Sequence, residues 1–367
     1  MQNLYWIGAR ESDVNKESVF SGSITRYGTN IKKNISLLKS RQSLADGEYI
    51  SFISDTLYEL AKQDKQCHFL FSNSNTAYKM PANIIERCIC LNPFPLVTAL
   101  NDKFFVRQFL LGACHMPPYI IVNGKLLQDA NFINKIFNKK YDTFVGQKSV
   151  GGGGRKTFLL NNPGTTINED EDYIVTPYFK KNIPVNVHCI IYADDIIVLP
   201  PSIQLIINDF KYIGADFFTS KIISFDEKIK LYNYSFDICK RFQKLGALGI
   251  LGLDYILVDG DFLFLESNFR VQGSSFLLNM GLNRLGISLY ESHIKSFSQP
   301  KCDISKDVFF KDINLSFVKE INNQPLSITI NPIKVNLDGY TNDLLLSEHA
   351  YMYNSIYDKP IFNCFQA

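Results

Sequence analysis

The stretch that most constrains this chain is residues 252–275, Gly-Leu-Asp-Tyr-Ile-Leu-Val-Asp-Gly-Asp-Phe-Leu-Phe-Leu-Glu-Ser-Asn-Phe-Arg-Val-Gln-Gly-Ser-Ser. Two β-like runs, 253–258 and 262–269, flank an Asp-Gly pair, a strong short-range hairpin signal. Side chains alternate faces along a strand. Glu266, Asn268 and Arg270 therefore share one face, with Phe262 and Phe264 leading up to them, and Leu263, Leu265 and Phe269 take the other. An acid, an amide and a guanidinium in a row make a poor core, because burying them unpaired is costly. Such a face implies something bound; a salt-bridged surface hairpin is the plainer alternative.

Asp254 sharpens the point. A three-residue turn at 259–261 sets Val258 against Phe262 and Asp254 against Glu266, whereas a two-residue turn sends Asp254 to the opposite face. Carboxylates facing each other across a sheet repel unless a cation lies between them. A cation site here thus predicts the odd-length turn. Asp, Glu and Asn offer oxygen, which suits Mg²⁺ rather than zinc. Mg²⁺ held by few carboxylates usually also carries phosphate, and Arg270 is placed to pair with that phosphate.

The 367 residues suggest roughly two or three domains. Hydrophobic content of 46% with 20% charge fits a globular core. A net charge of +2 gives no electrostatic reason for nucleic acid or membrane as the main partner. No run approaches the roughly 18 apolar residues of a membrane span. The apolar start, residues 1–8, meets Arg10, Glu11 and Asp13 at once and does not read as a signal peptide. Eight scattered cysteines without a Cys-x-x-Cys pair read as free thiols of a cytoplasmic protein. The five histidines are dispersed, no triad is visible, and His188 reads as a packing residue.

Strand-like runs at 4–7, 67–71 and 88–91 around a helical run at 45–63 predict a small open parallel sheet. Ligands of such sheets sit beyond the carboxyl ends of the strands, which places loops 8–13 and 21–28, with Arg10 and Ser23, at a substrate mouth. Asn92-Pro93-Phe94-Pro95 marks a boundary. A continuous helix at 96–111, a strand at 119–122, a helix at 132–138 and a strand at 143–148 follow. Next come Lys148-Ser149-Val150-Gly151-Gly152-Gly153-Gly154-Arg155-Lys156. Four glycines let backbone N–H groups approach an anion closely and make a mobile lid. The pattern is neither a P-loop nor a dinucleotide fingerprint, and a flexible hairpin tip is the alternative. A strand at 173–179, a hairpin at 185–192 and 196–199, a helix at 237–245, helical runs at 276–279 and 286–294, and strand-like pieces within 317–335 complete the outline.

The order of these pieces resembles the ATP-grasp ligases: Asp102-Lys103 on a helix, Lys148 before a Gly-rich hairpin, a hinge strand, and Asp254 with Glu266-x-Asn268-x-Arg270 on a late hairpin. The match covers about 101–294. It implies an α/β (α+β) ATP-grasp fold, with a pre-ATP-grasp α/β domain at 1–96, the ATP-grasp domain at 97–296 and a C-terminal extension at 297–367. It further implies that Lys103 and Lys148 contact ATP and that the backbone of Gly151, Gly152, Gly153 and Gly154 folds over its β- and γ-phosphates. The hinge, Thr176 to Phe179 with Tyr178, holds the adenine edge. Asp254, Glu266 and Asn268 hold one or two Mg²⁺, with two favoured. Arg270, with Lys148, serves the transferred phosphoryl group. The acid that often holds the ribose after the hinge is missing, and Asn186 is the candidate substitute.

The implied reaction is phosphorylation of a carboxylate followed by attack of an amine on the acyl phosphate, with an amino acid or peptide as substrate. Trp6-Ile7-Gly8-Ala9-Arg10-Glu11-Ser12-Asp13 and the C-terminal segment look most like the peptide and amino-acid ligases of natural-product pathways. A carrier-protein or other thiol acceptor, and a non-catalytic nucleotide-binding protein on the same fold, are the alternatives. Oligomeric state is open.

Overall fold

The computed structural model describes residues 3–10, 13–14, 17–27, 34–38, 46–151, 156–160, 166–207, 210–319, 327–330, 333–336 and 354–357. The chain opens with four parallel strands, β1 (Leu4–Arg10), β2 (Gly22–Tyr27), β3 (Asn34–Leu38) and β4 (His68–Phe71), in the order β3-β2-β1-β4. Helix Asp46–Gln63 lays Ile53 and Leu57 onto Ile7, Ile24 and Phe69. The parallel sheet agrees with the β/α alternation, but residues 21–28 do not form the expected loop. β2 runs through Gly22–Tyr27, and Ser23, Ile24 and Thr25 are all buried there. An inner parallel strand is covered on both faces, so its two hydroxyl residues disguise it as a loop. Residues 88–91 likewise form no strand: Cys88 makes one bridge to Phe69, and Cys90 takes a φ of 60°.

Four antiparallel strands form a second sheet: β5 (Ile120–Asn123), β6 (Phe144–Lys148), β7 (Thr157–Leu159) and β8 (Asp172–Pro177), ordered β5-β8-β6-β7. Val122, Ile133, Phe144, Tyr173 and Val175 make its core.

The third sheet lies between the two largest clusters of buried apolar side chains among the described residues. It contains β9 (Ile183–Ile191), β10 (Ile196–Val198), β11 (Ser202–Ile207), β12 (Lys211–Asp216), β13 (Gly249–Val258), β14 (Asp261–Asn268) and β15 (Ser316–Lys319). Among the described residues β16 (Ser327–Ile330) and β17 (Ile333–Asn336) pair with each other, and β18 (Asn354–Tyr357) lies beside β15 in the large sheet. The path is β14-β13-β9-β11-β12-β15-β18, with β10 on β9. β11 and β12 escape the sequence reading, as does the first half of helix Phe225–Lys244, expected only over 237–245. A capping box starts that helix: Ser224 Oγ accepts from Glu227 N, and Glu227 accepts from Ser224 N at 2.8 Å. Gly246, at φ 82°, stops it. Leu231, Ile238 and Phe242 press onto one face of the sheet, against Leu253, Tyr255, Phe262 and Phe264. Each such side chain contributes about 1.5–3 kcal/mol by burial. Helices Ser275–Asn283 and Leu289–Lys295 cover part of the other face through Phe276, Leu278 and Leu289.

Three ties place the first sheet against this frame. Asn92 exchanges two hydrogen bonds with the Leu248 backbone, each at 2.8 Å. Glu17 accepts from Asn279, Asn283 and Ser288. Asn73, just past β4, bridges to Arg270, and Val271 N donates to Ser72 O at 2.9 Å. The carboxyl end of β4 therefore abuts Arg270. The seven described cysteines are all free thiols, and no described helix is long and apolar enough to cross a membrane.

Candidate active site

The β13–β14 hairpin departs from expectation in one step and returns to it in the next. Val258 pairs with Asp261, so the turn has two residues, not three. Asp259 and Gly260 take φ of 49° and 77°, which suits a type I′ turn. Continued without a break, this register would put Asp254 and Glu266 on opposite faces. An irregularity between Asp254 and Tyr255 intervenes: Tyr255 pairs with Phe264, while Asp254 pairs with Glu266, leaving Leu265 as the extra residue. The two carboxylates face each other after all. The same bulge overturns the expected company of Glu266. Phe262 and Phe264 lie on the core side, with Phe269, and Glu266 and Asn268 on the other.

That second face carries a polar row across four strands. On β9, Asn186 sits in register with Asp254 and donates to its Oδ1 at 2.7 Å. From β11, Gln204 donates to the same oxygen at 2.9 Å. On β14, Asn268 donates to Asp254 Oδ2 at 2.9 Å and to Glu266 Oε1 at 3.2 Å. Arg270 closes the row, donating to Asn268 Oδ1 at 3.0 Å. Burial first, then the charge of Glu266, pushes the Asp254 carboxyl up to about 7, against the Asn186 hydrogen bond and the charge of Arg270.

The row has little room for extra side chains at its Arg270 end. Gly252, two residues before Asp254 on β13 and paired with Asn268, has the Gln272 carboxamide where a Cβ would stand. Gln272 N in turn donates to Ser275 Oγ at 2.8 Å, and that hydroxyl meets His188 Nε2 at 2.9 Å. His188 is wholly buried, and burial holds its imidazole down to about 3, so it stays neutral. It packs as the sequence suggests.

Lys103 reaches the row from a second direction. The expected continuous helix at 96–111 is two helices, Phe94–Leu100 and Lys103–Phe109. The break occurs because Asp102 caps the second, accepting from Phe104 N at 2.7 Å and Phe105 N at 3.2 Å. The break is fastened on both sides. Ser267 donates to Leu100 O at 2.8 Å, Phe269 N to Asn101 Oδ1 at 3.2 Å, and Lys103 N to Ser149 O at 2.9 Å. Lys103 consequently emerges, buried, between the glycine stretch and β14. Its Nζ lies 3.0 Å from Glu266 Oε2 and donates to Gly151 O at 3.2 Å.

The remaining predicted residues lie around this centre. Lys148 ends β6 and is ion-paired with Glu171 at the surface, which raises the lysine and lowers the acid. Gly152, Gly153 and Gly154 fall outside the described residues, as does the side chain of Arg10. At the hinge, Thr176 is buried opposite Val145. Tyr178 N donates to Thr143 O, and Phe179 O accepts from Asn182 at 2.6 Å. Asn186 stands in the polar row, its amide committed to Asp254.

Sequence reasoning missed two contributors. Gln204 sits on the unrecognised strand β11. Arg107 lies one helical turn beyond Lys103 on the same face, a spacing visible in the sequence; its fully buried guanidinium donates to Gln147 Oε1 at 3.3 Å.

The donor set fits a hard cation. Asp254 and Glu266 converge, and among the described residues no cluster of three or more His, Cys, Asp or Glu side chains gathers, so the remaining ligands are neutral oxygens. Asn186 Oδ1, buried, has no partner among the described residues. Asn268 turns its NH₂ toward both carboxylates, so serving as a ligand requires its amide to reverse.

Residues 100–274 match the family model of the ATP-grasp domain. The chain carries an ATP-grasp domain. That span holds Lys103, Arg107, the glycine stretch, the hinge and the whole β13–β14 hairpin. Solved structures of similar fold include biotin carboxylase from Campylobacter jejuni in a β,γ-ATP complex, at 14% identity and TM-score 0.65, covering 86% of this chain and 75% of that one. N5-carboxyaminoimidazole synthetase from Staphylococcus aureus, complexed with ADP, aligns at 13% identity and TM-score 0.57 over 87% and 82%. Pyruvate carboxylase from Rhizobium etli aligns at 12% identity and TM-score 0.63; 86% of this chain is covered but only 31% of that longer one. At these identities the likeness is one of fold. No curated protein sequence matches.

Proposed function

We propose that the chain is an ATP-dependent carboxylate–amine ligase of the ADP-forming kind. The observation that carries this reading is the polar row itself. Two facing carboxylates, flanked by Asn186, Gln204 and Asn268 and closed by Lys103 and Arg270, lie inside the ATP-grasp span. Phosphoryl transfer asks a protein for positioning and charge neutralisation rather than a nucleophile, and this row supplies both.

In this reading Lys103 and Lys148 neutralise nucleotide phosphates, and the glycine backbone at 151–154 covers them. Hinge main chain at Thr176, Tyr178 and Phe179 takes the adenine edge. Asn186 is bound first to Asp254, which argues for a place beside the cation rather than on the ribose. Asp254, Glu266 and a reversed Asn268 would hold Mg²⁺. When bound there, Mg²⁺ draws negative charge off the phosphate oxygens. A carboxylate oxygen of the substrate attacks the terminal phosphorus, the bond to ADP breaks, and an acyl phosphate forms. Arg270 steadies the transferred group. An amine then attacks the acyl carbon and phosphate leaves. The partners are small molecules, an amino acid or peptide on each side, as in natural-product ligases of the cytoplasm. Residues 1–96 form the preceding domain, 97–296 the catalytic one and 297–367 an extension whose strands β15 and β18 add to the catalytic sheet.

Hydroxylamine substitutes for the amine and traps an acyl phosphate as a hydroxamate. Incubation with ATP, Mg²⁺, hydroxylamine and pools of amino acids should yield ATP-dependent hydroxamate with at least one pool. Adenylation, seen as AMP release, would contradict the proposal.

A further inference from the structure

Arg107 is a charge without an adequate counterpart. Its side chain is fully buried, yet Nε and NH1 have no hydrogen-bond partner among the described residues. NH2 reaches Gln147 Oε1 at 3.3 Å, and the guanidinium lies 5.5 Å from the Tyr119 ring centroid. The nearest acid influencing it is Glu266, which already holds Lys103 at 3.0 Å. Lys103 and Arg107 thus share the one carboxylate of Glu266. A buried guanidinium with idle donors is costly unless an anion completes it.

Its surroundings say which anion. Gln147 is the residue before Lys148 on β6, the strand that leads into the glycine stretch. Lys103, one helical turn back, bridges Gly151 O and Glu266. Arg107 therefore lies between β6, the strand that leads to Gly151, and the acid proposed to hold Mg²⁺. In the proposed nucleotide site, the terminal phosphate is the group that would lie between those two elements.

We infer that Arg107 is a further phosphate-recognising residue, whose idle N–H groups take the terminal phosphate of the bound nucleoside triphosphate. The inference rests on the proposed nucleotide site. Charge-assisted bonds from a guanidinium to phosphate are strong and directional, so Arg107 should favour the triphosphate over the diphosphate.

The test is calorimetric titration of the whole chain with ADP and with a non-hydrolysable ATP analogue, both with Mg²⁺. Arg107→Met should weaken the analogue about tenfold or more and leave ADP within about threefold. Arg107→Lys, which keeps the charge, should show the same bias at smaller size and serves if the methionine variant does not fold. Equal losses for both ligands, or none, would overturn the inference and assign Arg107 a packing role. A wild-type chain that binds neither nucleotide would instead sink the functional reading on which this depends.

Discussion

Lys103 Nζ stands 3.0 Å from Glu266 Oε2, so the ammonium of one proposed phosphate ligand occupies the carboxylate of a proposed cation ligand. The pair joins the helix at 103–109 to β14, and Gly151 O ties it to the glycine stretch.

This contact predicts opposite signs for two affinities. Lys103→Met should raise the affinity for Mg²⁺ alone, because Glu266 loses its competing ammonium. It should lower affinity for the nucleotide about tenfold or more, because a charge-assisted phosphate contact is lost. Titrating the variant with Mg²⁺, then with Mg²⁺ and ADP, reads both; a fall in both affinities would refute the competition.

Asp254 predicts a pH dependence. Its carboxyl is raised to about 7, so its contribution to stability is fully present below the ordinary carboxylate pKa and is lost as pH rises through about 7. His188 and His293, held down to about 3 and 4 by burial, are neutral when folded and destabilise only below about 6.5. The loss from Asp254 runs from about pH 4 to about 7 and levels off above that; between about pH 6.5 and 7.5, where the histidines no longer oppose it, the metal-free protein should melt at lower temperature as pH rises, and Asp254→Asn should flatten that slope. An unchanged slope in the variant would place the titration elsewhere.

Gly252 and Gln272 should prove interdependent. In Gly252→Ala the new methyl overlaps the Gln272 carboxamide, which displaces the turn next to Arg270. Activity should fall about tenfold or more, with stability reduced by about 1–3 kcal/mol. Shortening the partner, in Gly252→Ala with Gln272→Ala, should restore stability. Thermal melts and turnover of the three variants decide it; additive losses would mean that the two residues do not interact.

Lys148 is engaged with Glu171 rather than with the polar row. Lys148→Ala should weaken nucleotide binding, while Glu171→Gln, which frees the lysine, should leave it unchanged or tighter. Weakening by both substitutions would show that the ion pair, and not the lysine, supports binding.

Much of the fold is legible because strand alternation and β/α succession leave local signatures. β2 is hidden because Ser23 and Thr25 are buried polar residues, and β11 because Ser202 and Gln204 break its apolar pattern. The helix break before Lys103 turns on Asp102 acting as a cap, which a helical periodicity alone does not separate from a mid-helix acid. Among site residues, Asp254 and Glu266 face each other as expected, but the three-residue turn expected to bring this about does not form. The turn has two residues, as Asp-Gly prefers, and a bulge at Leu265 restores the register. Nothing local in the sequence marks that bulge. It is fixed by what each face must accept: Phe262, Phe264 and Phe269 go to the core, and Glu266 and Asn268 go to the polar row.

The most direct measurement of the central claim is ADP release by wild type and by Glu266→Gln, in ATP and Mg²⁺, with and without a carboxylate and an amine. Wild type should release ADP only when a carboxylate is present. Glu266→Gln should lose that turnover by about a hundredfold or more while melting as a folded protein. ADP release that ignores every carboxylate, or survives intact in Glu266→Gln, would contradict the account.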